Sequence, residues 1–129
     1  MTKDTVFDIT KFEARDTAWL EVENIKGDGP LLVNGQPVRV EIRSPGSKEA
    51  LNAQHKYEIA QNAKTFAAMR GKPQKETAED TIQQRAVVLA AVTGNIENFP
   101  VAPLEIYNNP KLGWFTAQVE KFRIEWANF

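Results

Sequence analysis

The hydrophobic period of this chain changes at Pro45, and that change constrains its fold more than any other feature. Before Pro45 apolar residues alternate. In "TAWLEVENI" (17–25) Ala18, Leu20 and Val22 fall on one side, with Trp19, Glu21 and Glu23 on the other. In "QPVRVEIR" (36–43) Val38, Val40 and Ile42 alternate with Arg39, Glu41 and Arg43. Period two with one wet face is the mark of an antiparallel strand. Asn34-Gly35 lies between "LLV" (31–33) and the second run, and suits a type I′ hairpin because both turn residues tolerate positive φ. "VFDI" (6–9) reads as a further strand, and "GDGP" (27–30) as a turn.

After Pro45 the period becomes helical. Ser47 is placed to cap a helix that ends near Gly71. Ala50, Ala53, Tyr57, Ala60, Ala63 and Ala67 form one stripe on it. Leu51, Ile59, Phe66 and Met69 form another on a different side. Two apolar sides imply a helix that is sandwiched, either in its own core or against another subunit. A polar connector (71–80) leads to a helix from about Thr77 to Thr93, with Ala78, Ile82, Ala86 and Leu89 as its stripe and Gly94 as its stop. "NIENFPVA" (95–102) reads as a loop. Pro103 opens a short helix through Tyr107. Asn109 and Pro110 open the last helix, on which Leu112, Phe115, Val119, Phe122 and Trp126 share a face. The expected architecture is α+β: a small N-terminal antiparallel β-meander (1–45), then a mainly helical part (46–129). The two parts form one domain, since a few strands need helices to cover their apolar face.

Composition excludes much chemistry. The 129 residues carry a net charge of −1, so there is no basic excess to meet a phosphate backbone. Lys64, Arg70, Lys72 and Lys75 make only a local basic patch with few aromatics. There is no cysteine, which removes disulfides, thiolate metal sites and a cysteine nucleophile. His55 is the only histidine, too few for a histidine metal site. Ser44 and Ser47 are the only serines and read as turn and cap residues. "GDG" (27–29) lacks the Gly-Lys-Ser/Thr ending of a phosphate loop. Glu76, Glu79 and Asp80 fall where a helix start favours negative charge. No cofactor or metal is expected, and an enzyme would have to work with Glu and Asp alone. The acidic N-terminus does not read as a signal peptide, and no run approaches the ~20 apolar residues of a membrane span, so a cytoplasmic protein is expected.

What remains is apolar surface. The 112–126 stripe reads as core. Trp114, Ile124 and Phe129 lie elsewhere around the last helix, and large aromatics left over in one region point to a partner.

Three stretches carry a resemblance: "PVRVEIRSPGSKEALNAQ" (37–54), "VLAAVTGNIENFP" (88–100) and "EIYNNPKLGWFTAQVEKFRIEWANF" (105–129). In order and spacing they resemble the tail assembly chaperones of long-tailed bacteriophages, over somewhat under half of the chain. The resemblance implies a non-enzymatic protein of the bacterial host cytoplasm, absent from the mature virion. Such a protein binds the tape measure protein, keeps that long helical chain soluble and recruits tail tube subunits. It also implies that a programmed frameshift can make a longer form. On this reading Leu51, Ile59, Phe66 and Met69 meet a second copy, and Trp114, Trp126 and Phe129 meet the client. Two rivals stand beside it. One is a structural tail or head–tail joining protein retained in the virion. The other is a small host-encoded regulator or toxin-antitoxin partner with a DNA-binding face, which the near-neutral charge disfavours.

Overall fold

The computed structural model describes residues 7–73 and 75–129. It is an α+β structure. Strands β1 (Thr17–Glu21), β2 (Leu32–Val33), β3 (Gln36–Pro37) and β4 (Arg39–Arg43) precede helices α1 (Lys48–Met69) and α2 (Ala78–Ala91). Strand β5 (Thr93–Glu97) and helices α3 (Pro103–Tyr107) and α4 (Gly113–Ile124) complete the chain. β1, β4 and β5 form an antiparallel sheet with β4 in the middle, and β2 and β3 form a separate two-stranded hairpin. Asn34 (φ 52°) and Gly35 (φ 77°) turn that hairpin with positive φ at both positions, as the dipeptide predicts.

Two expectations about strands are corrected. The "VFDI" stretch forms no strand where it is described. Ile9 opens a 3-10 turn (Ile9–Phe12) capped by Asp8, whose side chain accepts from the Thr10 amide. Val6 lies outside the described residues. The N-terminal strands also do not complete the sheet. Its third strand is β5, within the stretch read as a helix stop and a loop. α2 ends at Ala91 and the chain passes through Val92 directly into β5. Gly94 is thus a strand residue, at a register shift opposite β4. There the Glu41 carboxylate accepts from the Asn95 amide at 3.2 Å. A Cβ on Gly94 would run into that carboxylate.

The helix boundaries follow local chemistry. Ser47 accepts from the Ala50 amide and caps α1. Gly71, at φ 76°, closes α1 with two reverse bonds, Gly71 to the Ala68 carbonyl and Lys72 to the Ala67 carbonyl. This is the Schellman arrangement, which favours glycine because it requires positive φ. Thr77 and Asp80 form a reciprocal capping box at the start of α2. Those hydrogen bonds from Thr77 hold the exposed Asp80 carboxyl below its ordinary value. Asn109 caps a 3-10 turn (Pro110–Leu112) rather than α4 itself, which begins at Gly113.

The core lies between the inner face of the sheet and α2, α3 and α4. It gathers Val22, Val38, Val40, Ile42, Ala86, Leu89, Ile106, Tyr107, Phe115 and Val119. The α4 stripe therefore packs inward at Phe115 and Val119, with Leu112 and Phe122 partly buried beside them. Trp126 does not continue the stripe. Glu125 leaves helical geometry (φ −92°, ψ 103°), and Trp126 enters a 3-10 turn with more than half its surface exposed. One polar network is sealed inside: Thr93 Oγ1 donates to the Leu89 carbonyl at 2.8 Å and accepts from the Tyr107 hydroxyl at 2.7 Å. Burial pushes the Tyr107 phenol up to about 12, although the Thr93 hydrogen bond acts in the opposite sense.

Candidate functional site

α1 is 22 residues long, about 33 Å at 1.5 Å per residue, yet only Ala50 and Ala53 are buried on it. Both sit in its first two turns. Beyond them α1 faces α2 across a groove lined by Tyr57, Ala60, Val87, Val88 and Ala91, and polar side chains link it to α2 and to the connector before it. Gln61 donates to Gln84 at 3.2 Å, and Lys64 pairs with Glu76 at 3.0 Å. Helical geometry places Leu51, Ile59, Phe66 and Met69 within an arc of roughly 80° at 3.6 residues per turn, on the side away from Ala50 and Ala53. Their exposures are 59%, 55%, 58% and 76%. The only histidine, His55, is exposed on the same side. The second apolar stripe read from the sequence is thus an outward face that no other described residue covers.

The C-terminal aromatics have different surroundings. Trp114 is half-buried and packs edge-on to Phe115 at 6.0 Å. Phe129 is also half-buried, with its ring 5.6 Å from that of Phe122. Both join the core from its rim. Trp126 alone of the three is mainly exposed, with its indole lying over Gly46. A shallow cleft of about 660 Å³ brings Phe12, Trp126 and Phe129 together with Glu13, Asp16 and Ser44. Phe12 stacks on Phe7 at 5.5 Å, and both rings are 75% exposed. Neither phenylalanine was singled out by the sequence, although their spacing in "FDITKF" (7–12) is the signal that would have found them.

The cleft is held by contacts between residues far apart in sequence. Arg15 donates from its backbone amide and from Nε to the Phe129 backbone oxygen, and from Nη2 to the Asn128 carbonyl at 3.1 Å. Gln118 on α4 accepts from the Glu23 amide at 2.8 Å and donates to the Glu23 carbonyl at 3.0 Å, pairing with the backbone just beyond β1 as a strand would. These bonds tie the entry to β1, its exit and the C-terminal turn to one frame.

The outer sheet face is charged rather than apolar. Arg39 lies 4.8 Å from the Trp19 ring and pairs with Glu97 at 2.7 Å. No described helix is long and apolar enough to cross a membrane. No protein-family model matches the chain, and it has no match among curated proteins or solved structures.

Proposed function

We propose that this chain is a non-enzymatic tail assembly chaperone of a long-tailed phage or prophage, working in the cytoplasm of the bacterial host. It self-associates through the outer face of α1 and binds the tape measure protein while tail tube subunits assemble. The observation that carries the reading is the exposed row Leu51, Ile59, Phe66 and Met69 on a helix whose opposite side is seated at Ala50 and Ala53. Large apolar side chains left exposed along one side of a helix, here with His55 and Asn62 between them, mark a contact surface. The cleft of Phe12, Trp126 and Phe129 supplies a second, aromatic surface for the client, of the residue type that dominates protein interfaces.

Co-expression with the tape measure protein of the same genome tests this. The client is expected to stay soluble with this chain and to precipitate without it. Equal solubility in both cases would end the chaperone reading. Purified virions separate it from a structural tail protein: the chaperone is absent from them, and a tail or joining protein is present.

A further inference from the structure

The cleft of Phe12, Trp126 and Phe129 is acidic as well as aromatic. Its charged lining residues are Glu13 and Asp16, and no lysine or arginine joins them among the described residues. A smaller cleft of about 350 Å³ lies against the same C-terminal turn. There Glu21, Glu23 and Glu125 stand against one cation, Lys121, beside Leu20 and Phe122. None of these five carboxylates forms an ion pair among the described residues, whereas Glu49, Glu76, Glu97 and Glu120 do. Arg15 lies close by, but the backbone oxygens of Asn128 and Phe129 hold its guanidinium. With Arg15 and Lys121 counted, five carboxylates face two cations. That is a surplus of three negative charges around one turn, in a chain whose net charge is −1.

We propose that this surface binds a basic amphipathic polypeptide segment, its apolar side chains against Phe12 and Trp126 and its lysines or arginines beside Glu13 and Asp16. The inference rests on reading the cleft as the client surface, and adds the chemistry of what that surface takes. A patch of one charge attracts and orients the opposite charge and rejects its own. A cation reaching the carboxylates past an exposed aromatic ring also gains from the ring's negative face. The apolar part runs on beyond the cleft, since Phe12 stacks on the exposed Phe7. A small-molecule site buries most of its ligand, which a shallow surface of this extent does not do; it fits the side of a polypeptide.

Two synthetic peptides of equal length test this. Both carry leucines at the same helical spacing, with lysine at the polar positions of one and glutamate at those of the other. The indole N–H signal of Trp126 in a ¹H–¹⁵N NMR spectrum reports binding at the cleft, assigned by its loss in Trp126→Phe. The lysine peptide should shift it saturably, and the glutamate peptide should bind about tenfold more weakly or worse. Added salt should weaken the lysine peptide. Glu13→Gln with Asp16→Asn should weaken it about three- to tenfold, as loss of two exposed charge pairs implies. Glu79→Gln with Glu105→Gln makes the same change in net charge outside both clefts, and should leave binding within about twofold of the parent. The comparison of the two peptides on the wild-type chain decides the matter even if a variant does not fold. Equal affinity for both peptides, no saturable shift at Trp126, or equal weakening by the two double variants would each overturn the proposal. If the lysine peptide binds as expected while the tape measure protein is equally soluble without this chain, the cleft chemistry stands and the chaperone reading falls.

Discussion

α1 and α4 are both helices with apolar residues at helical spacing, and the protein uses them in opposite ways. α4 has 12 residues and buries Phe115, Thr116 and Val119. α1 is nearly twice as long and buries two alanines. The apolar stripe of α4 faces the sheet and α3, so periodicity there means core. Leu51, Ile59, Phe66 and Met69 of α1 face away from all the other described residues. A helical stripe therefore specifies that a face is to be covered, and leaves open whether the chain itself or another one covers it.

Substitutions on the two helices should separate these uses. The largest effect belongs to α4. Phe115→Ala removes a fully buried ring that packs near Phe99 at 5.4 Å, and should destabilise by about 3–5 kcal/mol. Denaturant unfolding measures this loss, a large share of the ~5–15 kcal/mol total of a typical domain. A loss below about 1 kcal/mol would place the core elsewhere.

The sealed network between α2, β5 and α3 is next. Thr93→Val leaves the Tyr107 hydroxyl buried without its partner and should cost about 1–3 kcal/mol. Tyr107 also sets a pH limit. Its folded value is raised to about 12, whereas a free tyrosine ionises near 10. Above pH ~10 the unfolded chain loses this proton first, so unfolding becomes easier. The stability Tyr107 contributes is whole below pH ~10 and lost between about 10 and 12, by up to roughly 2–3 kcal/mol. Urea melts across that range should show the decline, and Tyr107→Phe should flatten it.

A smaller effect is expected at Gly94. Gly94→Ala must push the Glu41 side chain off the Asn95 amide, at a cost of about 1 kcal/mol for the lost hydrogen bond. A chemical-shift change confined to β4 and β5 would accompany it, and an unchanged Asn95 amide would refute the contact.

The sequence showed much of this division, and the reasons differ from place to place. Ser47, Asn34-Gly35 and Pro103 declare themselves because caps and turns depend on one or two adjacent residues. β5 did not. Its five residues, "TGNIE", include Gly94 and Asn95, which read as a helix stop followed by a loop. What makes them a strand is the free edge of β4, more than fifty residues earlier, with Arg39 opposite Glu97. The contacts of Arg15 with Phe129 and of Gln118 with Glu23 were hidden for the same reason, since neither partner is marked by local pattern. At the surfaces, spacing separated the two stripes of α1, although of the inner one only Ala50 and Ala53 are buried while Tyr57, Ala60 and Ala63 stay exposed. It did not show that Trp114 and Phe129 lean on the core while Trp126 stays outside. That outcome depends on where α4 stops, and the break at Glu125 carries no glycine or proline to announce it.

The central claim is that the outer face of α1 serves contact rather than folding. Ile59→Gln combined with Phe66→Gln tests it most directly, with sedimentation velocity and thermal melting on the same sample. The variant should sediment as a smaller species than the parent, while its stability per protomer at matched, dissociating dilution stays within about 0.5 kcal/mol, as for exposed positions. A stability loss of several kcal/mol, or unchanged self-association in a folded variant, would contradict it.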